Sequence, residues 1–278
     1  MTSPMRRLSL AFIGLCLTGL GATARAQSCK PAHQFETIRP GTLSVAVWDF
    51  PPYSIPAGAD DLKGVDGEIV KQIAARECLK IAVSVIDPAA VVQSVVSRRA
   101  DVGLGDWYRT ADRAKVLGLS DPMYLDQMAV ISKQGIDTVD SIVGKRVGTV
   151  QGYLWTGNLQ KLLGSALVVY PNPVAMAQDL AAGRIDVGTD SYAVSKYNQA
   201  KGGYGSMKIM LVKPDPRVPA SLEPGQTALL FTKTNAALGA ALSANIDALR
   251  QSGEIARILK TYGLSTSAAD VGAPRIIQ

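Results

Sequence analysis

The chain contains 278 residues, of which 47% are hydrophobic and 19% are charged, and its formal net charge is +6. This length exceeds the usual size of a single hydrophobic core and the composition is ordinary for a globular protein, so we expect two domains. The lysines and arginines are scattered singly along the sequence. A nucleic-acid partner needs basic residues clustered on one face, and we therefore predict none.

The first 26 residues have the pattern of a cleaved secretory signal peptide. Two arginines precede an apolar run over residues 8–20, and small residues surround a cleavage point after Ala26. The run is shorter than the ~20 residues that are needed to span a bilayer. We therefore predict a periplasmic protein, while a membrane anchor or a lipid on Cys16 stays open as an alternative.

Export leaves two cysteines, Cys29 and Cys78, in an oxidising compartment. An even pair there favours one disulfide between the mature N-terminus and the end of the first predicted helix, with two free thiols as the alternative. His33 is the only histidine in the chain. With so few ligands, we predict no transition-metal site and no Ser-His-Asp or Cys-His catalytic group.

Strand and helix patterns alternate along the first part of the mature chain. The predicted elements, in order, are a strand over 43–47 that ends at Pro51-Pro52, a helix with Asp66 as its N-cap, a strand over 81–86, a helix over 89–98 and a strand over 101–105. This alternation predicts a parallel sheet with helices on both faces.

The same alternation resumes after residue 139. The predicted elements are strands over 146–150, 166–170, 185–189 and 227–231, helices over 154–163, 174–182 and 193–200, and two amphipathic helices that begin near 238 and 255. Residues 265–278 read as a loose C-terminal tail.

A repeat joins the two halves. Residues 93–103 recur in similar form as residues 178–188, and each copy runs on into an aspartate, Asp106 or Asp190. Each copy predicts a helix, a short strand and a carboxylate at the carboxyl end of the strand, where open α/β sheets bind their ligands. We therefore expect two lobes of like construction that face each other across a cleft.

Several motifs along residues 42–264 resemble those of a known family in their order and spacing. They are Pro51-Pro52-Tyr53, Gly64-Val65-Asp66-Gly67, Arg99-Ala100-Asp101-Val102, Arg113-Ala114-Lys115, Ser120-Asp121-Pro122, Gly144-Lys145-Arg146-Val147-Gly148, Gln151-Gly152, Gly183-Arg184-Ile185-Asp186 and Gly253-Glu254-Ile255. Together they resemble the periplasmic solute-binding proteins of ABC importers, in the group that binds polar amino acids (solute-binding protein family 3).

The resemblance implies an α/β, two-lobed periplasmic-binding-protein fold with parallel-rich sheets flanked by helices. Lobe one would comprise residues 27–131 plus 228–264 and lobe two residues 132–227, with two crossing hinge strands near Ile131 and Leu229. The lobes would close on a small-molecule ligand, and closure would be read by the membrane permease of an ABC importer. The resemblance also implies a monomer with no cofactor and no enzymatic activity.

Three site residues follow from the resemblance. Arg113 matches the arginine that grips the ligand carboxylate, a task that suits a planar guanidinium. Asp190 matches the acid that meets the ligand ammonium group, although it is also a candidate N-cap for the helix that follows. Phe50 matches an aromatic residue that stacks on the ligand, with an ordinary core phenylalanine as the alternative.

Other positions depart from the family pattern. Asp106, Trp107 and Tyr108 replace small and hydroxyl residues, and Tyr153, Leu154 and Trp155 replace a threonine-rich turn. With Trp48, these aromatic and acidic replacements predict a pocket for a cationic or quaternary ammonium group, by cation–π attraction and charge. The alternative for the tryptophans is packing inside the lobes. The expected ligand is thus a small zwitterionic or cationic compound like an amino acid.

Two rival functions share the same scaffold. One is a dehydratase for cyclohexadienyl acids such as arogenate, with Asp106 as an acid of raised pKa. The other is a ligand-sensing subunit that reports to a membrane receptor.

Overall fold

The computed structural model describes residues 29–278. The predicted signal peptide and the alternative lipid site at Cys16 lie outside the described residues. The strands are β1 Thr42–Val47, β2 Ile55–Pro56, β3 Leu62–Lys63, β4 Lys80–Val85, β5 Val102–Tyr108, β6 Gly118–Leu119, β7 Leu125–Asp126, β8 Met128–Ser132, β9 Val147–Val150, β10 Leu167–Tyr170, β11 Val187–Ser191, β12 Lys208–Leu211 and β13 Gly225–Phe231.

The α-helices are α1 Val65–Arg76, α2 Pro88–Val96, α3 Ala111–Val116, α4 Val139–Ile142, α5 Thr156–Leu163, α6 Pro173–Ala181, α7 Tyr192–Ala200, α8 Ala236–Gln251 and α9 Glu254–Thr261. Across the part of the chain that the structure describes, no helix combines the length and the apolar character that a membrane span requires.

Two separate sheets define two lobes. In lobe one the strand order is β4-β1-β5-β13-β6, and β7 also pairs with β13. In lobe two the order is β10-β9-β11-β8-β12. The first three strands of each sheet run parallel, and the strands added beside them are antiparallel. The predicted two-lobed α/β architecture is therefore confirmed.

The predicted repeat corresponds to equivalent units of the two lobes. β1-α1-β4-α2-β5 and β9-α5-β10-α6-β11 follow the same path, with the first strand of each unit between the other two. A local hydrogen bond also recurs. In each unit, an aspartate just before the third strand accepts a hydrogen bond from a backbone N–H near the start of the first strand. Asp101 Oδ2 accepts from the Ser44 N–H at 2.8 Å, and Asp186 Oδ2 accepts from the Arg146 N–H at 2.9 Å.

The chain crosses between the lobes at positions that differ from the predicted ones. It leaves lobe one between β7 and β8, at Gln127, and returns before β13. Ile131 lies inside the lobe-two sheet, opposite Gly188 and Ile209, and Leu229 lies inside β13 of lobe one. The predicted hinge positions at Ile131 and Leu229 are wrong because an apolar strand pattern does not indicate which sheet the strand joins.

The C-terminal segment over residues 265–278 is not loose, contrary to the prediction. Val271 is buried, and the Gln226 side chain donates to the carbonyl groups of Val271 at 2.7 Å and Ala273 at 2.8 Å. The Ile277 N–H donates to the Arg109 carbonyl at 2.9 Å. A buried glutamine in a distant strand therefore fixes this segment, and the composition of the tail gives no sign of such a partner.

The disulfide between Cys29 and Cys78 is present, with a Cα–Cα distance of 5.8 Å. This confirms the predicted pairing. Beside it, His33 Nδ1 lies 2.6 Å from Glu77 Oε1, and Asn245 donates to the same oxygen at 2.5 Å. The disulfide and this polar cluster fix the N-terminal segment to lobe one.

Candidate ligand-binding cleft

A cleft lies where the carboxyl ends of the parallel strands of both lobes meet. The space between its walls is about 410 Å³ with the open solvent at its mouth included, and the cavity itself is narrow, at about 30 Å³. The loop after β1, the end of β5 and the turn after β9 form its walls. Seven of the eight predicted binding residues line it, and they are Phe50, Asp106, Trp107, Tyr108, Arg113, Tyr153 and Trp155.

Aromatic rings make up much of the cleft wall. The rings of Trp48 and Phe50 stack with centroids 4.1 Å apart and an interplanar angle of 16°. Tyr153 from lobe two faces Phe50 at 6.1 Å and Trp155 at 5.0 Å. The ring of Trp48 packs directly against Gly105. A Cβ atom at position 105 would lie 2.0 Å from the indole nitrogen of Trp48. Only glycine at position 105 leaves Trp48 room in the cleft.

Arg113 projects into the cleft from the first turn of α3. One guanidinium nitrogen donates to the Tyr108 carbonyl at 2.7 Å, and another donates at 3.4 Å to the Gly152 carbonyl of lobe two. Its central carbon lies 4.9 Å from the centroid of the Trp107 ring. Burial lowers the pKa of Arg113 to about 10, so the side chain stays charged at neutral pH.

Asp106 lies within β5 and is 9% exposed. Among residues 29–278, no N–H or hydroxyl group donates to its buried Oδ1 atom. The pKa of Asp106 is raised well above its ordinary value, first by burial, then by the negative charge of Asp126 and a side-chain hydrogen bond with it, and then by the charge of Asp66. A carboxyl group that favours the protonated form, with Asp126 as its hydrogen-bonding neighbour, therefore lines the cleft.

Asp66 supports this part of the cleft from below, and it is not the helix N-cap that the sequence predicts. Gly64 occupies the cap position, with φ of 89°. Asp66 Oδ2 accepts bonds from the backbone N–H groups of Gly105 and Asp106, each at 3.0 Å, and its Oδ1 accepts from the Tyr124 hydroxyl at 2.5 Å. Burial raises the pKa of Asp66 to about 6.

Asp126 joins the two lobes where the chain first crosses, and no sequence pattern selects it. Its Oδ1 accepts from the hydroxyl groups of Tyr53 and of Ser191 in lobe two, each at 2.9 Å. Its Oδ2 accepts from the Tyr108 hydroxyl at 2.8 Å. Asp126 thus holds a tyrosine of the cleft wall and links it to the opposite lobe.

The predicted direct contact of Asp190 with a ligand is not present in this geometry. Asp190 is fully buried and is not part of the cleft wall. Its Oδ1 accepts from the Tyr153 hydroxyl at 2.7 Å and the Ser191 N–H at 2.8 Å, and its Oδ2 accepts from the Tyr204 hydroxyl at 3.3 Å. Burial raises the pKa of Asp190 to about 7.

The reason for this correction is the length of β11. The predicted strand ends at residue 189, whereas β11 continues through Ser191. Successive residues of a strand face opposite sides, so Asp190 points into lobe two and Ser191 lines the cleft. The hydroxyl of Ser191 also caps α7 by accepting from the Val194 N–H at 3.2 Å, and the alternative role of Asp190 as this cap is therefore also wrong.

Three buried polar atoms of the cleft lack a hydrogen-bond partner within the described part of the chain. They are Asp106 Oδ1 and the indole nitrogens of Trp48 and Trp107. Leaving a buried polar group unpaired costs free energy, so native proteins rarely do it without cause. When Asp106 is ionised, one acceptor and two donors beside the cleft therefore have no partner among the described residues.

The family model described as bacterial extracellular solute-binding proteins, family 3, matches residues 43–265. The chain belongs to this family. The resemblance seen in the sequence motifs is thereby confirmed, and the protein is a solute-binding protein. The family and its named relatives are binding proteins rather than enzymes.

Two curated relatives come from Escherichia coli K12. The lysine/arginine/ornithine-binding periplasmic protein is 26% identical over 258 residues, which cover 88% of this chain and 93% of that protein. The L-cystine-binding protein TcyJ is 28% identical over 152 residues, which cover 52% of this chain and 57% of that protein. Both relatives are named for the amino acids that they bind.

Solved structures share the fold. The amino acid ABC transporter substrate-binding protein AbpA from Streptococcus pneumoniae, bound to L-arginine, superposes with a TM-score of 0.70 at 24% identity and covers 82% of this chain and 96% of its own. An ancestral arginine-binding protein bound to arginine gives 0.69 at 22% identity, covering 80% of this chain and 98% of its own. At these identities the likeness supports the two-lobed architecture alone.

Proposed function

We propose that this solute-binding protein captures a small amino-acid-like compound, zwitterionic or cationic, between its lobes in the periplasm. Closure of the lobes would present the loaded protein, as a monomer, to the permease of an ABC importer. The named relatives support this ligand class, because they bind lysine, arginine, ornithine or cystine. Each of these compounds carries a carboxylate and an ammonium group.

The observation that carries the proposal is an arginine and a carboxyl group in one aromatic cleft. Arg113 and Asp106 both line it, yet no salt bridge joins them among the described residues. Neither side chain is therefore neutralised by the other, and both can interact with a dipolar molecule. A ligand with a carboxylate at one end and an ammonium group at the other fits this arrangement.

Arg113 is suited to hold the carboxylate. Its bond to the Tyr108 carbonyl fixes the orientation of the guanidinium, while its bond to the Gly152 carbonyl is long at 3.4 Å. A carboxylate that replaces Gly152 would gain a charge-assisted bond, which is stronger than a bond to a neutral carbonyl. Because Gly152 belongs to lobe two, this exchange would take place at the boundary between the lobes.

Calorimetry tests this role of Arg113. A first screen by thermal shift would select ligands among the amino acids, and Arg113→Ala should then weaken binding by at least tenfold, since a hydrogen bond to a charged group contributes about 1.5–3 kcal/mol. Arg257→Ala, an exposed arginine on α9, is the control and should bind like the wild type. An affinity of Arg113→Ala within twofold of the wild type would remove the carboxylate assignment.

We further propose that the protein is not an enzyme, although one observation favours the dehydratase alternative. The raised pKa of Asp106 is a property that an acid catalyst in the cleft would need. Incubation with prephenate and arogenate, followed by the absorbance of the aromatic product, decides between the two. We expect no product above that formed with Asp106→Asn.

A further inference from the structure

Asp106 is presented to the cleft by a distorted stretch of β5. Gly105 has φ of 133° and Asp106 has φ of 58°. The value at Asp106 is a left-handed conformation that residues other than glycine rarely adopt. The pairing of β5 with β13 is irregular at the same place. Both backbone N–H groups bind Asp66, which holds the distortion in place. Strain of this kind persists where the surrounding structure enforces it, and it is common at ligand sites.

The groups that face Asp106 are mostly acidic or neutral. They are Asp66 on α1, Asp126 on β7, Arg113 on α3, Tyr108 on β5 itself, and Tyr53, Tyr124 and Tyr153 from the loops around the cleft. Arg113 is the only cation among them, and its nitrogens are bonded to the Tyr108 and Gly152 carbonyls. Without a ligand, burial and the two neighbouring carboxylates favour a protonated Asp106.

We propose that Asp106 binds the protonated nitrogen of the ligand through an N–H group, and that Asp106 releases its own proton to solvent as the ligand enters. This inference rests on the proposed function and names the partner of the cationic group. When Asp106 loses its proton it also loses its hydrogen bond with Asp126. An N–H donor of the ligand replaces that bond, and the positive charge of the ligand stabilises the ionised carboxylate. Capture of the ligand is therefore coupled to the release of up to one proton.

The same geometry narrows the class of ligand. A quaternary ammonium group can stack on the rings of Trp48 and Phe50, but it offers no N–H and would leave Asp106 Oδ1 unpaired. Primary ammonium and guanidinium groups both satisfy this atom. The indole N–H groups of Trp48 and Trp107 require acceptors, which a ligand carboxylate or carbonyl provides. The cleft therefore favours N–H-bearing cations over permethylated ones.

The experiment is calorimetry on the mature chain with L-lysine, L-ornithine and L-arginine, in two buffers of different ionisation enthalpy at each pH from 5 to 8. We expect proton release for the wild type and an affinity that rises by up to about tenfold per pH unit while Asp106 is protonated in the free protein. Asp106→Asn should release no proton, bind at least tenfold more weakly and lose the pH dependence.

The control variant is Asp112→Asn, because the Asp112 side chain is 88% exposed on α3, and it should behave like the wild type. Nε-trimethyl-lysine should bind at least tenfold more weakly than lysine.

Several results would overturn the proposal. They are binding without proton release by the wild type, an Asp106→Asn variant with wild-type affinity, and equal affinity for lysine and its trimethylated form. A ligand-free measurement separates this inference from the proposed function, namely the carbon-13 shift of the Asp106 carboxyl against pH, assigned with Asp106→Asn. A midpoint near the ordinary value of about 4 refutes the proton release even where amino acids bind. A raised midpoint with no binding of any amino compound refutes the proposed function and, with it, the ligand named here.

Discussion

The two lobes are built on the same β-α-β-α-β path, yet the aspartate at the end of the third strand lines the cleft in lobe one and points into the lobe interior in lobe two. In lobe one, the distorted backbone at Gly105 leaves Asp106 at the cleft, where no N–H or hydroxyl group of the described residues donates to its Oδ1. In lobe two, the regular strand β11 turns Asp190 inward, where Tyr153, Tyr204 and a backbone N–H bind it.

This difference shows that a position at the end of a strand does not by itself give a carboxylate its role. A carboxylate with all its acceptor sites bonded stabilises the lobe around it, because each lost bond would leave a buried donor unpaired. A carboxylate with a free site is available to a ligand. The backbone conformation one residue earlier decides between the two outcomes.

The largest expected effect comes from removing each carboxylate in turn and measuring unfolding in urea. Asp190→Ala should lower the free energy of unfolding by about 3 kcal/mol, since it leaves two tyrosine hydroxyl groups and a backbone N–H without their acceptor. At pH 4, where Asp106 is protonated in the folded protein, Asp106→Ala should change it by about 1 kcal/mol or less, because no N–H or hydroxyl group loses an acceptor on Oδ1. Equal losses in the two variants would contradict the comparison.

A smaller effect on stability is expected from substituting Gly105 in the distorted stretch of β5. Gly105→Ala should destabilise the protein by about 2 kcal/mol and weaken ligand binding, because the new Cβ displaces the Trp48 ring. Gly144→Ala is the matched control, since Gly144 also has a positive φ, of 78°, but has open space around its Cβ position. If both variants lose the same stability, backbone strain alone accounts for the loss and Trp48 is not held by Gly105.

The smallest effect, counted per pH unit, and the one that sharpens the comparison most, is a pH dependence. The pKa of Asp106 is raised in the folded protein, so its unfolded form ionises first as the pH rises above about 4. Wild-type stability should therefore fall relative to Asp106→Asn by up to about 1.4 kcal/mol per pH unit until the folded pKa is reached. Urea unfolding from pH 4 to pH 8 measures this difference. A constant difference between the two proteins would mean that Asp106 is ionised in the free cleft.

The sequence predicted the repeat, the lobes and most of the cleft for physical reasons. Alternating apolar patterns report local strand and helix structure, and the two similar segments of chain fold into similar units. The choice of Arg113 followed from the resemblance of the surrounding motifs to those of the family. Asp106 was selected as a candidate binding residue because it stands where the family resemblance implies a small residue. Each of these inferences depends on residues close together in the chain.

The parts that failed depend on contacts between distant residues. Asp190 was misplaced because the extent of β11 is set by pairing with β8, which the strand pattern does not contain. Asp66 was misread as a helix cap because its true partners lie about 40 residues away on β5. Asp126 was not selected at all, since its three hydroxyl partners come from three separate segments.

The most direct test of the account measures the melting temperature and the ligand affinity of Asp106→Asn and Asp190→Asn side by side, with the amino acid that gives the largest thermal shift on the wild type. We expect Asp106→Asn to melt no earlier than the wild type and to lose at least tenfold in affinity. Asp190→Asn should melt earlier, while its folded fraction binds within about threefold of the wild type. The opposite pattern, with binding lost at Asp190 and retained at Asp106, would contradict the division of roles between the two lobes.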